Sequence, residues 1–248
     1  AAEQDVMKEA YVMKARIKFT KEGPMKFVGH LDTMRYFQKA IRRAELPIAF
    51  SGGYSPHMIM SFAAPLGVGV TSTGEYFDME LSVALPTDEI CQRLNAQMVE
   101  GVRVLSARQV EDGKASKAMS LVAAADYLVD FRQGKAPADG WQTKIAAFLK
   151  QPEILVTKET KKGEKQVDIR PYIYKMELQE DDRIFLSLAS ASANYTKPDA
   201  VIAAFADWLG QELPEFACMI HRLEVYADLG NEKKHKFVSL ESLGKEVK

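Results

Sequence analysis

The chain has 248 residues, a formal net charge of −1, 47% hydrophobic residues and 27% charged residues. This length exceeds the usual size of one domain, and the composition is globular, which excludes a disordered chain. No apolar run approaches the roughly 20 residues of a membrane helix, and the start lacks the order of a signal peptide. We therefore expect a cytoplasmic protein without a membrane anchor.

The first half of the chain predicts the element order β-α-β-β-α-β. Residues 11–20 alternate between apolar and basic side chains, which predicts a half-buried strand with its cations on an open face. A helical spacing follows over 30–45, and Pro47 ends it. Extended segments at 47–63, 76–83 and 102–110 and a second helix capped by Thr87 complete this unit. The apolar side of the first helix is predicted to consist of Leu31, Met34, Gln38 and Ile41.

The second half repeats this order after a polar linker at 111–120. A long extended element, interrupted by a turn at Lys161-Lys162-Gly163, takes the place of the second strand. The sequence therefore predicts an α+β fold of two tandem ferredoxin-like (βαββαβ) domains with antiparallel sheets, at 11–112 and 122–230. We expect the charged C-terminal tail, 231–248, to be frayed or peripheral.

The residue types of common cofactor sites are scarce. Cys91 and Cys218 are the only cysteines, lie far apart and belong to no Cys/His cluster, which excludes a typical zinc or iron–sulfur motif. The glycines at 67, 69 and 74 match neither a P-loop nor a dinucleotide fingerprint. We therefore expect no cofactor.

Positive charge is concentrated near the start of the chain. Residues 14–43 contain nine Lys or Arg against two acids, whereas residues 44–113 contain three arginines against nine acids. Arg35, Lys39 and Arg42 recur at i, i+4 and i+7 on one helix face without acids at i±4, and Arg43 adjoins them. Such a row can neutralise about three phosphates. An ordinary solvated face is the alternative.

Two further segments carry candidate RNA contacts. The loop 51–57 combines a flexible backbone with Tyr54, Ser55 and His57, an aromatic ring beside hydrogen-bonding groups, as in single-strand RNA recognition. In the second half, Arg170 and Tyr172 flank a proline. The alternatives are a structural loop for the first segment and an edge strand with a basic turn for the second.

Two other groups of side chains have competing interpretations. The strand cations Lys14, Arg16 and Lys18 could also bind RNA, but Asp78 and Glu80 are expected to pair with them across neighbouring strands. His30 and His57 are candidate catalytic residues that could cleave RNA without metal, one as base and one as acid. A structural role is the alternative for each histidine.

The segments 30–75, 168–172 and 190–198 together resemble an uncharacterised bacterial family of radical SAM-linked proteins. The resemblance implies a radical S-adenosylmethionine protein or a ribonuclease of the E/G type as partner. More loosely, the first segment is similar to the CRISPR repeat-processing endoribonucleases, which have tandem ferredoxin-like domains. Their late glycine-rich loop has no counterpart between 200 and 230.

Three functions are suggested by these patterns, and the partner named in the first is the one that the resemblance implies. The first is a non-catalytic RNA-binding accessory protein that acts with a radical SAM enzyme or an RNA-processing partner. The second is a metal-independent endoribonuclease, and the third is a protein-interaction module that does not contact RNA.

Overall fold

The structure is a computed structural model and describes residues 12–113, 116–160 and 163–248. The chain forms two compact units. Unit 1 comprises the described residues up to Val122 together with Val225–Lys248, and unit 2 comprises Ala123–Glu224. Both units mix helices with mostly antiparallel strands.

Unit 1 has the predicted order of elements. In chain order these are β1 (Met13–Lys21), α1 (His30–Arg43), β2 (Met60–Ala63), β3 (Thr71–Leu81), α2 (Thr87–Asn95), β4 (Val104–Gln109) and α3 (Ala118–Leu121). The strands β1 and β3 pair antiparallel, β4 pairs with the other edge of β1, and β2 pairs with β3. Later in the chain, β11 (Phe237–Ser239) pairs with Tyr226–Asp228.

Unit 2 has strands and helices in the same order, with one addition. Its elements are β5 (Ala124–Phe131), α4 (Ile145–Leu149), β6 (Leu155–Thr160), β7 (Gly163–Asp168), β8 (Ile173–Leu178), β9 (Ile184–Ala189), α5 (Pro198–Trp208) and β10 (Cys218–Asp228), the last of which crosses the boundary at Glu224. The long extended element of the prediction is in fact two features, because β6 and β7 form a separate two-stranded sheet in the described part of the chain, while β8 pairs with β9. Of the predicted turn, Lys161 and Lys162 lie outside the described residues.

The core of unit 1 lies between the sheet and its two longer helices. The apolar residues of β1 are almost fully buried, as expected for the side of the strand that faces the core, and the rings of Phe19, Phe37, Phe62 and Phe77 pack with centroids 4.6–6.1 Å apart. On α1 the buried residues are Thr33, Phe37, Ala40 and Ile41. The predicted apolar side was therefore wrong at Leu31, which lies in the first turn and is 61% exposed.

The second face of β1 is covered, which the prediction of a half-buried strand missed. Arg16 is 1% exposed and donates to both carboxylate oxygens of Asp78, at 2.8 and 3.1 Å. Its remaining hydrogen bonds go to the carbonyls of Leu240 (3.0 Å) and Ser116 (2.8 Å). Asp78 also accepts from the backbone N–H of Ala118. The expected cross-strand pairing is thus confirmed for Arg16, and it ties four segments together.

The C-terminal segment is part of unit 1, contrary to the frayed tail that the sequence predicted. After β11, residues 240–243 form a 3₁₀ turn, Lys245 bridges to Gln109, and Val247 exchanges hydrogen bonds with Thr87. Thr87 is accordingly the first residue of α2 and not its N-cap, which is Pro86. The tail is charged, but its apolar residues and backbone complete the unit.

We expect Arg16→Met to lower the free energy of unfolding by about 3–5 kcal/mol, because the carboxylate of Asp78 would remain buried without its counter-ion. Urea denaturation measures this change. Arg35→Met is the matched control: its ion pair with Asp32 is about two-thirds exposed and is expected to contribute at most about 1 kcal/mol. Equal effects of both substitutions would contradict the account.

Glu241 predicts a pH dependence of stability. Burial raises the pKa of its carboxyl, but hydrogen bonds from Lys18 and Ser106 outweigh burial and hold the pKa below its ordinary value. A depressed folded-state pKa stabilises above the unfolded pKa, and the stabilisation is lost as pH falls through the folded pKa. The difference in unfolding free energy between wild type and Glu241→Gln should therefore be largest above about pH 5.5 and shrink below about pH 4. A difference that grows on acidification would contradict this.

Candidate nucleic-acid interface

The exposed face of α1 carries four cations. Arg35, Lys39, Arg42 and Arg43 all point away from the buried side of the helix and are exposed. The structure thus places the predicted row on one surface, as its spacing required.

These cations differ in what they contact. Arg35 pairs with Asp32 at 3.0 Å, and this i−3 spacing lies outside the i±4 positions considered from the sequence. The Nε of Arg43 donates to the neutral side chain of Gln97 at 3.3 Å. Lys39 and Arg42 make no side-chain hydrogen bond or ion pair within the described ranges. Among the described residues, the α1 cations without a hydrogen-bond or ion-pair partner therefore lie on the last two turns of the helix.

The loop 51–57 follows α1 and precedes β2. Its ends are joined because the N–H of Ser51 donates to the carbonyl of His57 at 2.9 Å, and the N–H of His57 donates to the Ser51 hydroxyl at 3.1 Å. The same hydroxyl lies 2.8 Å from Nδ1 of His57. Between these ends the tip is exposed throughout, including Tyr54 and Ser55, and the Tyr54 ring is fully accessible.

Strand direction places this loop at the end of unit 1 where α1 finishes. Both β1 and β2 run antiparallel to β3, so β1 and β2 point the same way and α1 returns between them. The ring of His30, at the start of α1, contacts Phe62 in the second half of β2, with centroids 5.4 Å apart. The start of β2, and the loop before it, therefore lie towards Arg42 and Arg43.

The two histidines consequently flank opposite ends of β2. His30 contacts the later part of the strand, and His57 is bonded to Ser51 ahead of it. Both are exposed. Within the described residues no contact joins the two imidazoles.

The two site candidates of unit 2 are placed differently. Arg170 is half-buried in a 3₁₀ turn (Arg170–Tyr172), where its Nε donates to the carbonyl of Leu149 at 2.9 Å and its Nη1 to that of Ile173 at 3.3 Å. Its guanidinium therefore joins the end of α4 to the start of β8. Tyr172 is half-buried.

The sequence did not predict the exposed apolar side chains near α1. Phe27 and Val68 are 66% and 63% exposed, and the hydrogen bond from Gly69 N–H to the carbonyl of Lys26 (2.8 Å) brings their segments together. The Nζ of Lys26 lies 5.1 Å from the centroid of the Phe27 ring, a cation–π contact. No periodic pattern marked these residues, because they lie in short connections.

The remaining chemistry of the described residues is sparse. They contain no group of three or more His, Cys, Asp or Glu placed to hold a metal ion. Burial, with Asp199 nearby, raises the pKa of the Cys218 thiol to about 12, and burial also raises that of Cys91. Neither thiol is therefore activated as a nucleophile, since a raised pKa disfavours the thiolate. No helix in the described part of the chain combines the length and apolarity needed to cross a bilayer.

The fold and this surface define a class: a two-unit mixed α/β protein with mostly antiparallel strands and a basic helix face. The chain belongs to the family described as "Uncharacterized protein conserved in bacteria (DUF2344)", whose model matches residues 14–198. No curated protein matches the chain.

Solved structures with distant similarity include a Cbf5-Nop10-Gar1 complex, at 12% identity and a TM-score of 0.45, covering 85% of this chain and 48% of that one. The archaeal box H/ACA sRNP Nop10-Cbf5 complex matches at 14% identity and a TM-score of 0.41, covering 84% and 46%. An unknown protein from Galdieria sulphuraria matches at 13% identity and a TM-score of 0.26, covering 85% and 96%. The chain thus spans about half the length of the first two.

We expect Arg170→Met to lower the free energy of unfolding by about 1–3 kcal/mol, because two carbonyls lose their donor. Lys175→Met is the control, because it removes an exposed cation that pairs with Glu177 and lies 5.4 Å from the Phe185 ring; it should change stability by less than about 1 kcal/mol. If Arg170→Met instead weakened RNA binding at unchanged stability, a contact role for Arg170 would replace the structural one.

Proposed function

We propose that this protein is a non-catalytic RNA-binding accessory protein, and that α1 and the loop 51–57 form its RNA-binding surface. The observation that carries the proposal is the exposure of Lys39 and Arg42 without an acidic partner among the described residues. Exposed cations held on a rigid helix can bind phosphates without first breaking an internal ion pair.

The aromatic ring of Tyr54 supports RNA over other polyanions. A hydrogen-bonded loop base holds an exposed ring at the end of unit 1 where the cations are concentrated. Bases stack on such rings in single-stranded RNA, whereas sulfated or phosphorylated ligands without bases gain nothing from them. Ser55 and His57 add hydrogen-bonding groups beside the ring.

We further propose that each unit is a ferredoxin-like domain. In support, the strand order in unit 1 is β4-β1-β3-β2, with helices after β1 and β3. In unit 2 the order is β10-β5-β9-β8, with the β6–β7 hairpin inserted. This order and connectivity are those of a βαββαβ domain.

The proposed partner is a radical SAM protein or an RNA-processing enzyme, as the family resemblance implies. The chain lacks the three-cysteine cluster of a radical enzyme, so such chemistry would have to come from the partner. Among the residues that the structure describes, no contact brings His30 and His57 together as an endoribonuclease would require, and we do not propose one.

The test is a gel-shift titration of single-stranded RNA with wild type and the double variant Lys39→Glu/Arg42→Glu. We expect the variant to bind at least about tenfold more weakly and its salt slope to fall by about 1.4, or 0.7 for each lost phosphate contact. Tyr54→Ala should cost about 1–3 kcal/mol of binding at an unchanged slope. The RNA should remain intact in EDTA.

The matched control is Lys175→Glu/Arg183→Glu, which makes the same change in net charge at exposed, already paired cations of unit 2. Equal losses in both double variants would mean that net charge alone governs binding. Wild-type affinity weaker than about 10⁻⁴ M at low salt, below ordinary non-specific binding, would refute the proposal. Cleavage that His57→Ala abolishes would support the endoribonuclease instead.

A further inference from the structure

Lys14 is a buried lysine whose amine has no partner in the described residues. It lies on β1 on the same face as Arg16 and is 4% exposed. Arg16 donates to Asp78 and to two carbonyls, and Lys18 donates to Glu241 at 2.8 Å. The Lys14 amine makes no hydrogen bond or ion pair to any residue in 12–113, 116–160 or 163–248.

A cavity of about 400 Å³ lies beside Lys14, within unit 1. Its apolar lining comes from Val12, Val110 and Leu243, and a smaller cavity of about 100 Å³ also reaches Lys14. The larger volume is in the range of small-molecule sites. Its polar lining outnumbers the apolar one and comes from Lys14, Gln109, Glu111, Asp112 and Lys245, which suits a polar ligand. We call it the Lys14 cavity.

Among the residues that the structure describes, the buried Lys14 amine lacks the hydrogen-bond acceptors that would offset the cost of its burial. A buried cation without an acceptor is unfavourable, and burial lowers the pKa of Lys14 although the charges of Asp78 and Glu80 oppose that shift. Asp78 is already occupied by Arg16 and Ala118. An oxygen acceptor from a ligand would supply the hydrogen bonds that the protein does not.

The charges at the rim restrict what that ligand can be. Glu111, Asp112 and Lys245 line the cavity and are exposed, whereas Lys14 is buried. Two carboxylates and two amines give the lining a formal charge near zero, which does not favour a polyanion. The negative end of a ligand belongs at Lys14, and a positive end belongs near Glu111 and Asp112.

We propose that the Lys14 cavity binds a small zwitterion of the α-amino acid class, with its carboxylate on the Lys14 amine and its ammonium group towards Glu111 and Asp112. This site lies on the opposite face of β1 from the α1 core and is separate from the proposed RNA surface.

The experiment is isothermal titration calorimetry of the whole protein with the common α-amino acids, from glycine to leucine, glutamate and lysine. We expect at least one to bind with a dissociation constant of about 1 mM or tighter. Lys14→Met, which fills a similar volume without the amine, should weaken that binding at least tenfold. The variant Glu111→Gln/Asp112→Asn should weaken amino-acid binding as well. Because both of its positions are exposed, this variant should fold normally and tests the site even if Lys14→Met does not fold.

Lys39→Met is the control, because it lies on α1 and should leave amino-acid binding unchanged while reducing RNA binding. The proposal is overturned if none of the amino acids binds, or if binding survives unchanged in Lys14→Met and in the rim variant. Since the two sites share no residue, loss of one activity leaves the other testable.

Discussion

The buried guanidinium of Arg16 is the contact on which unit 1 depends. It joins β1 to β3 through Asp78, and it holds the linker and the C-terminal segment through the carbonyls of Ser116 and Leu240. A charge this deeply buried is tolerated only when its donors are satisfied, so these segments must all be in place together. Folding of unit 1 therefore requires residues at both ends of the described chain.

The contacts of the covered strand face determine which cations remain able to bind a ligand. On β1 the charges of Arg16 and Lys18 are used inside the protein, and only Lys14 is left without an acceptor among the residues described. On α1 the buried side is apolar, so Lys39 and Arg42 can point outward only. The cations of β1 are thus mostly used inside the protein, whereas those of α1 are exposed. Lys14 on the strand carries one proposal, and Lys39 with Arg42 on the helix carries the other.

The local patterns of the sequence predicted much of the fold. Two-residue periodicity located β1 and β3, helical spacing and Pro47 located α1, and repetition of the pattern indicated a second unit of similar order. The same spacing correctly grouped Arg35, Lys39 and Arg42 on one face, and the strand neighbours predicted the pair of Arg16 and Asp78. These features depend on residues near in sequence or directly opposite in a sheet.

The features that were missed depend on distant or irregular segments. Nothing local to β1 indicates that Leu240 covers it, and nothing local to Thr87 indicates its bond to Val247. The separate β6–β7 hairpin was not distinguishable from one long strand, because the pairing partner and not the composition separates them. Arg170 looked like a surface cation, and only the path of the chain shows that backbone carbonyls accept its hydrogen bonds.

The most direct test of RNA binding by α1 and the loop 51–57 is ultraviolet cross-linking of single-stranded RNA containing 4-thiouridine to the whole protein. The linked peptides are identified by mass spectrometry. We expect cross-links in the peptides that contain α1 and the loop 51–57, foremost at Tyr54. Cross-links confined to unit 2, or none above the level of a protein-free control, would contradict it.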